Sequence, residues 1–274
     1  MTPDSTVAAP PPWEAKRRPR PTWGLDEGDE IAPGRTVLRR IGSGRRYEAM
    51  LVWDDHWLQV LVAKLLRPDH ATDPASLHDL EREAGLLAKL AHPVVVRGFG
   101  AALDGRFPHL VLEHLEGPTL AELLHRHGSL ALEQLLPLAL HVASALHYMA
   151  AEGVVHLDVK PSNVVMGAPP RLIDLSVART LDEAARLRSP IGTDAYMAPE
   201  QRRPDGRIGP PADIFGLAAT LRASLPKRPP RELLEIVDAG LDPEPANRPV
   251  AAEFARRLEP LVAALPTRMT LGRH

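Results

Sequence analysis

The octet His156-Leu157-Asp158-Val159-Lys160-Pro161-Ser162-Asn163 sets an acid, a base and an amide at spacings suited to phosphoryl transfer. A plainer reading stands beside it, because Asp, Pro, Ser and Asn are ordinary turn formers and the octet follows a helical stretch. Other segments carry groups of related chemistry. Gly42-Ser43-Gly44-Arg45-Arg46-Tyr47 lies between two strand-like runs, where glycines let backbone N–H groups approach phosphate oxygens, or simply turn a hairpin. Lys64 ends the apolar run Leu61-Val62-Ala63, where a buried ammonium needs an anionic partner. Glu83, nineteen residues on, is able to supply one; an exposed lysine and an exposed glutamate are the alternative. Asp174 closes a second apolar run, Arg171-Leu172-Ile173, sixteen residues beyond Asp158.

These groups are useful only if the chain folds back to gather them. Thr36 to Ile41, Tyr47 to Trp53 and Leu58 to Leu65 read as three strands, and Val94 to Gly100 and Leu110 to Glu113 as two more. Between the two sets, Asp73-Pro74 gives an N-cap and a first-turn proline, and Leu77, Leu80, Ala84 and Leu87 mark one face of a helix ending near Leu90. After Gly117-Pro118 the pattern turns helical: Leu120 to His127, Leu132 to Ala151, Ile214 to Leu221, Glu232 to Ala239 and Ala251 to Leu258. The expectation is α+β, a five-stranded lobe with one main helix followed by a mostly helical lobe.

Composition removes several other chemistries. No cysteine is present among 274 residues, which excludes disulfides, thiolate metal sites and cysteine nucleophiles and fits a reducing cytoplasm. A formal charge of −2 provides no basic field for nucleic acid. The twelve histidines form no evident ligand set, and His125 and His127 sit two apart on a helix, facing different ways. Lys16-Arg17-Arg18 is followed by no apolar segment, so no secretory signal is expected. The stretch from Gln134 to Ala151 lacks Asp, Glu, Lys and Arg but contains His141, His147 and Pro137, and reads as a buried helix rather than a membrane span. Residues 1–34, with Pro10-Pro11-Pro12 and the acidic Asp26, Glu27, Asp29 and Glu30, read as a proline-rich disordered arm; a docking or regulatory tail anchored by Trp13 and Trp23 is the alternative.

Taken together and in order, these segments resemble those of protein kinases, and the branch they are most similar to is the bacterial, eukaryotic-like serine/threonine kinases. Gly192-Thr193-Asp194-Ala195-Tyr196-Met197-Ala198-Pro199-Glu200 resembles the end of a kinase activation segment, and Lys160 and Thr193 are what the serine/threonine branch carries. The resemblance covers residues 35–262. It implies a bilobal fold with an N-lobe over 35–113, a hinge at 113–117, a C-lobe over 114–262 and a short tail, 263–274. It implies ATP between the lobes, under Ile41, Gly42, Ser43, Gly44 and Ala49, with the adenine near Glu113 and Leu115. Asn163 and Asp174 would hold Mg²⁺, Lys64 paired with Glu83 would touch the phosphates, and Asp158 would accept the substrate hydroxyl proton with Lys160 beside it. Glu200 with Arg248 would be a structural pair, and Asp213 would brace the catalytic loop. The implied partners are ATP and proteins bearing Ser or Thr, with this chain itself as one candidate substrate, in a signalling role.

Four positions depart from the family pattern. Tyr47 replaces the third loop glycine; Leu157 replaces the arginine that grips a phosphorylated activation loop; Leu175 and Ser176 replace Phe and Gly after the metal-binding aspartate. Phosphorylation at Thr180, Ser189 or Thr193 is therefore not expected to activate through position 157. Between Leu221 and Arg231 the chain is shorter than in relatives that carry a docking helix there. A nucleotide-binding or protein-interaction scaffold that transfers no phosphate is the main alternative. A small-molecule phosphotransferase is a second, which Lys160 and the 193–200 segment argue against.

Overall fold

A computed structural model describes residues 20–203 and 206–266. The first half of the chain builds a curled antiparallel sheet of six strands in the order β1-β2-β3-β4-β6-β5. These are β1 (Glu30–Ala32), β2 (Arg35–Ser43), β3 (Tyr47–Asp54), β4 (Gln59–Leu66), β5 (Gly98–Ala102) and β6 (His109–Glu113). Strand alternation drives one face inward: Val37, Met50, Val52, Leu61, Ala63, Leu65 and Val111 are buried together with Ile31. Helix α1 (Pro74–Lys89) packs on the opposite face. Asp73 caps it, accepting from the Ser76 N–H at 3.0 Å, and Pro74 occupies the first turn, where no N–H is needed.

The second half is mostly helical, with α2 (Leu120–His127), α3 (Leu132–Ala151), α4 (Leu181–Ala185), α5 (Pro210–Ser224), α6 (Arg231–Gly240) and α7 (Ala251–Ala263). Four two-residue strands lie among them: β7 (Val154–Val155), β8 (Val164–Val165), β9 (Arg171–Leu172) and β10 (Arg179–Thr180). The charge-free stretch from Gln134 to Ala151 falls in α3, whose Leu135, Leu138, Ala139, Val142, Ala143, Ala145 and Met149 are buried against α5 and α7. Among the described residues no helix is long and apolar enough to cross a membrane.

Three expectations need correction. The sheet has six strands, not five, because Glu30–Ala32 pairs with β2. Residues 20–34 do not form the disordered arm expected there: Trp23 and Leu25 pack against the apolar face of the sheet, and residues 1–19 lie outside the described residues. A proline-rich, acidic composition argues against a separate core, but two apolar side chains suffice to dock a segment on a core that already exists. The strand expected at Val94 to Gly100 begins at Gly98. Val94, Val95 and Val96 are buried in the main core instead, and a parallel bridge joins Val95 to Leu172.

Candidate active site

Two polar clusters form where the sheet meets the helical half. The first is centred on Lys64 in β4. Its ammonium donates to both oxygens of Glu83 in α1, each at 2.8 Å, and to Asp174 Oδ1 at 2.7 Å. One cation thus joins a strand, a helix and the loop after β9. Burial pulls the lysine down, but Asp174 and Glu83 outweigh it and hold Lys64 well above an ordinary lysine. Burial also pushes Asp174 up, yet the Lys64 charge and hydrogen bond hold it well below the usual carboxylate range. Glu83 shifts the other way: its complete burial raises it although Lys64 pulls it down. The face of the Tyr47 ring lies 4.5 Å from Lys64 Nζ, and burial pushes the Tyr47 phenol up to about 12.

The second cluster is built on Asp158. Its Oδ2 accepts from Lys160 Nζ at 2.6 Å and from Asn163 Nδ2 at 3.1 Å, and Asn163 Nδ2 also donates to the Asp158 carbonyl at 2.9 Å. Lys160 donates onward to Thr193 Oγ1 at 2.7 Å. Asp158 Oδ1 is buried and accepts no hydrogen bond from the described residues. The clusters adjoin through the backbone, because the Ile173 N–H donates to the Asn163 carbonyl at 2.9 Å and Asp174 comes next. Six of the expected residues, Lys64, Glu83, Asp158, Lys160, Asn163 and Asp174, are thereby brought together.

The loop under Asp158 is held from behind. Asp213, at the start of α5, accepts from the His156 and Leu157 N–H groups, both at 2.7 Å, and its burial pushes the carboxyl up. Those contacts fix Leu157 at φ +65°, a left-handed conformation that costs a leucine energy. The Leu157 side chain, 4% exposed, joins an apolar cluster with Val155, Ala184, Ala198, Ile208 and Ala212. Leu181, Leu187 and Ile191 of the following segment pack on that cluster. Gly192, at φ +111°, passes so close that a Cβ there would lie 2.6 Å from the Leu157 carbonyl. Arg248 grips Glu200 with two donors, at 2.7 and 2.8 Å, below the same segment.

The remaining expected residues lie in the sheet and just after it. Gly42, Ser43 and Gly44 run from the end of β2 into the turn before β3, and Ala49 lies beside Lys64 across the β3–β4 ladder. Ile41 is 40% exposed, an apolar surface available to a ligand. Leu115 is half-buried against the main core. The Glu113 carboxylate is taken by Arg171 and by the Arg97 N–H at 2.6 Å, so at this position only backbone is left to meet a ligand.

Sequence reasoning missed that contact, and it missed Gln201. Gln201 Nε2 donates to the Leu157 and Ile191 carbonyls, each at 2.9 Å, and its Oε1 accepts from the Ala198 N–H at 3.0 Å. A lone glutamine after Ala-Pro-Glu carries no local signal of such a role. Arg171 had one: a charged residue opening an otherwise apolar two-residue strand.

Two side-chain oxygens near the junction are available to a cation. Asn163 spends its Nδ2 on Asp158, leaving its Oδ1 with only a long 3.5 Å contact from Ser162 Oγ. Asp174 Oδ2 accepts no hydrogen bond from the described residues, since both bonds to this side chain end on Oδ1. Among the described residues no group of three or more acidic or histidine ligands exists. Two oxygen donors suit Mg²⁺, which keeps several waters and takes phosphate oxygens.

The chain matches the protein kinase domain family over residues 35–248. It is 30% identical over 199 residues to the serine/threonine-protein kinase PknB of Mycobacterium leprae, covering 69% of this chain and 32% of that one. A probable serine/threonine-protein kinase of Streptomyces coelicolor is 31% identical over 211 residues, 73% of this chain and 30% of the relative. The probable PknB of Bifidobacterium longum is 28% identical over 216 residues, 73% of this chain and 31% of the relative. The chain thus spans about a third of the length of these curated relatives. With a matching family over most of its length and a six-stranded sheet set on a helical half, the chain belongs to the protein kinase domain family.

Proposed function

We propose that this chain is a serine/threonine protein kinase that uses Mg²⁺ and ATP, with Asp158 as the residue that receives the substrate proton. The observation that carries this reading is the buried, unpartnered Oδ1 of Asp158. Leaving such an acceptor unmade costs about 1–3 kcal/mol, and an incoming hydroxyl donor relieves that cost. Lys160 and Asn163 fix the other oxygen, so the free one is aimed and the carboxylate cannot turn away. The Ser or Thr oxygen attacks the γ-phosphorus, the bond from that phosphorus to the oxygen retained by ADP breaks, and the hydroxyl proton goes to Asp158 Oδ1. Bound Mg²⁺ supplies charge neutralisation at the phosphates. Asn163 Oδ1 and Asp174 Oδ2 are the oxygens that would hold it. Lys64 and Lys160 provide positive charge in a cleft where burial strengthens it. The Lys64–Glu83 contact is already closed, which agrees with a site assembled before substrate arrives.

The Leu157 cluster supports constitutive ordering of the segment after Asp174. Apolar contacts from Leu181, Leu187 and Ile191 do here what a phosphate gripped by arginine would otherwise do. Two of the three candidate hydroxyls are already occupied: Thr180 Oγ1 caps α4, accepting from Glu183 N–H at 3.3 Å, and Thr193 accepts from Lys160. The lack of cysteine supports action in a reducing compartment such as the cytoplasm. Protein substrates, signalling roles and the absence of a nucleic-acid partner belong to the same proposal.

One observation favours the scaffold alternative: the Tyr47 ring stacks over Lys64 where the family keeps a glycine. The deciding experiment is transfer of ³²P from ATP to a generic protein or to the chain itself. Transfer that needs magnesium and vanishes in Asp158→Asn supports the kinase reading, whereas ATP binding without transfer supports the scaffold.

A further inference from the structure

We infer that Arg67 and the segment 20–23 form a latch that holds the glycine loop in place, so that nucleotide affinity depends on the docking of the N-terminal segment. The inference rests on reading Gly42–Gly44 as the nucleotide loop. Arg67 follows the last residue of β4 and is buried at 2% exposure. Its guanidinium reaches in two directions. NH1 donates to Ser43 Oγ at 2.7 Å and to the Gly44 carbonyl at 3.3 Å, both in the loop. NH2 donates to the carbonyls of Arg20 at 3.0 Å and Pro21 at 2.6 Å, both in the N-terminal segment. The Arg67 N–H adds a bond to the Arg46 carbonyl at 2.9 Å, so the far side of the loop is tied to the same residue.

The segment has its own anchors, and these act through Trp23. Its indole N–H donates to the Leu66 carbonyl at 2.7 Å, and its backbone N–H donates to Glu48 Oε1 at 3.1 Å. Its ring meets Phe107 edge-on, with centroids 4.9 Å apart. Leu66 and Glu48 are close neighbours of the loop in the sheet, since Leu66 pairs with Tyr47 and Glu48 with Ser43. Docking Trp23 therefore fixes the Arg20 and Pro21 carbonyls, these orient the planar guanidinium, and the guanidinium fixes Ser43 and Gly44.

A simple packing role does not explain the choice of arginine. Among the described residues no carboxylate lies within ion-pair distance of Arg67, and a buried guanidinium without a counter-ion is costly where an apolar side chain would fill the same space. The rigid fork is suited to gripping two segments at once, and its charge stands directly behind a loop whose N–H groups would meet phosphate. Two glycines make the loop pliable, so it gains from an outside hold.

The test uses the full chain, its Trp23→Ala variant and its Arg67→Lys variant, each first checked for a cooperative melt. Two quantities are read: deuterium uptake at amides 42–46, and steady-state KM for ATP against kcat. The latch predicts faster uptake at 42–46 in both variants. It also predicts a KM raised about tenfold in Trp23→Ala, with kcat at saturating ATP within about twofold of wild type. Folded variants with unchanged uptake and unchanged KM overturn the latch, as does a fall in kcat alone. If the wild-type chain turns over no ATP, the enzyme reading fails, and uptake at 42–46 still decides whether the segment holds the loop.

Discussion

Removing both ends of the Glu200–Arg248 pair should cost less than the two single removals added together. Arg248 is fully buried; it makes two bonds to Glu200 and donates to the carbonyls of Asp242 at 2.8 Å and Pro211 at 2.9 Å. Its guanidinium also lies 5.0 Å from the Phe215 ring centre. Breaking a buried pair from one side leaves an uncompensated charge and costs about 3–5 kcal/mol. For a domain of this size each kcal/mol moves the melting temperature by about 2–4 °C, so Glu200→Leu should melt about 6–20 °C below wild type. Arg248→Met should lose more than Glu200→Leu, because it also orphans the Asp242 and Pro211 carbonyls. The double variant Glu200→Leu/Arg248→Met leaves no buried charge and should fall short of the summed single losses by about 2 kcal/mol. Calorimetric melts of the four proteins make the comparison. Additivity to within about 0.5 kcal/mol would refute the pairing as drawn.

Other outcomes follow from the same geometry. Ser189→Asp, at an exposed site, should leave the transfer rate unchanged, since Leu157 gives a new negative charge no arginine to meet; a large rise measured against wild type would contradict this. His109 is buried, accepts from Arg35 at 2.7 Å through Nε2 and donates to the Phe107 carbonyl at 2.6 Å through Nδ1, and burial holds it below an ordinary histidine. Its neutral form is the folded form, so its contribution to stability is complete above about pH 6.5 and declines as pH falls through that value. Urea midpoints at neutral and mildly acid pH should show that decline, and His109→Asn should flatten it. Lys64→Met leaves Glu83 buried without a counter-ion and able to fold well only when protonated; relative to wild type this variant should recover stability as pH falls from neutral towards about 4.3, and parallel melts check the trend.

Much of the chemistry is legible because the reactive residues stand in short motifs, in family order, among well-patterned elements. Lys64 lies near the end of β4, Glu83 on the buried face of the capped helix α1 and Asp213 in the first turn of α5, so periodicity marks the elements and the family resemblance marks the residues. The helices Leu120–His127 and Leu132–Ala151 lie where their apolar periodicity predicts them. What stayed hidden depended on contacts between distant segments. Glu30–Ala32 is too short to show alternation and becomes a strand only because β2 offers an edge. Gln201, Arg67 and the Glu113–Arg171 contact join positions tens of residues apart through single side chains, and no local pattern announces such links.

The most direct measurement is Mg²⁺-dependent transfer from [γ-³²P]ATP by the wild-type chain beside Asp158→Asn, with nucleotide binding followed in both. The account predicts label on protein Ser or Thr with wild type, and retained ATP binding with label lost in the variant. Equal labelling by the two proteins would remove Asp158 from the chemistry and contradict the account at its centre.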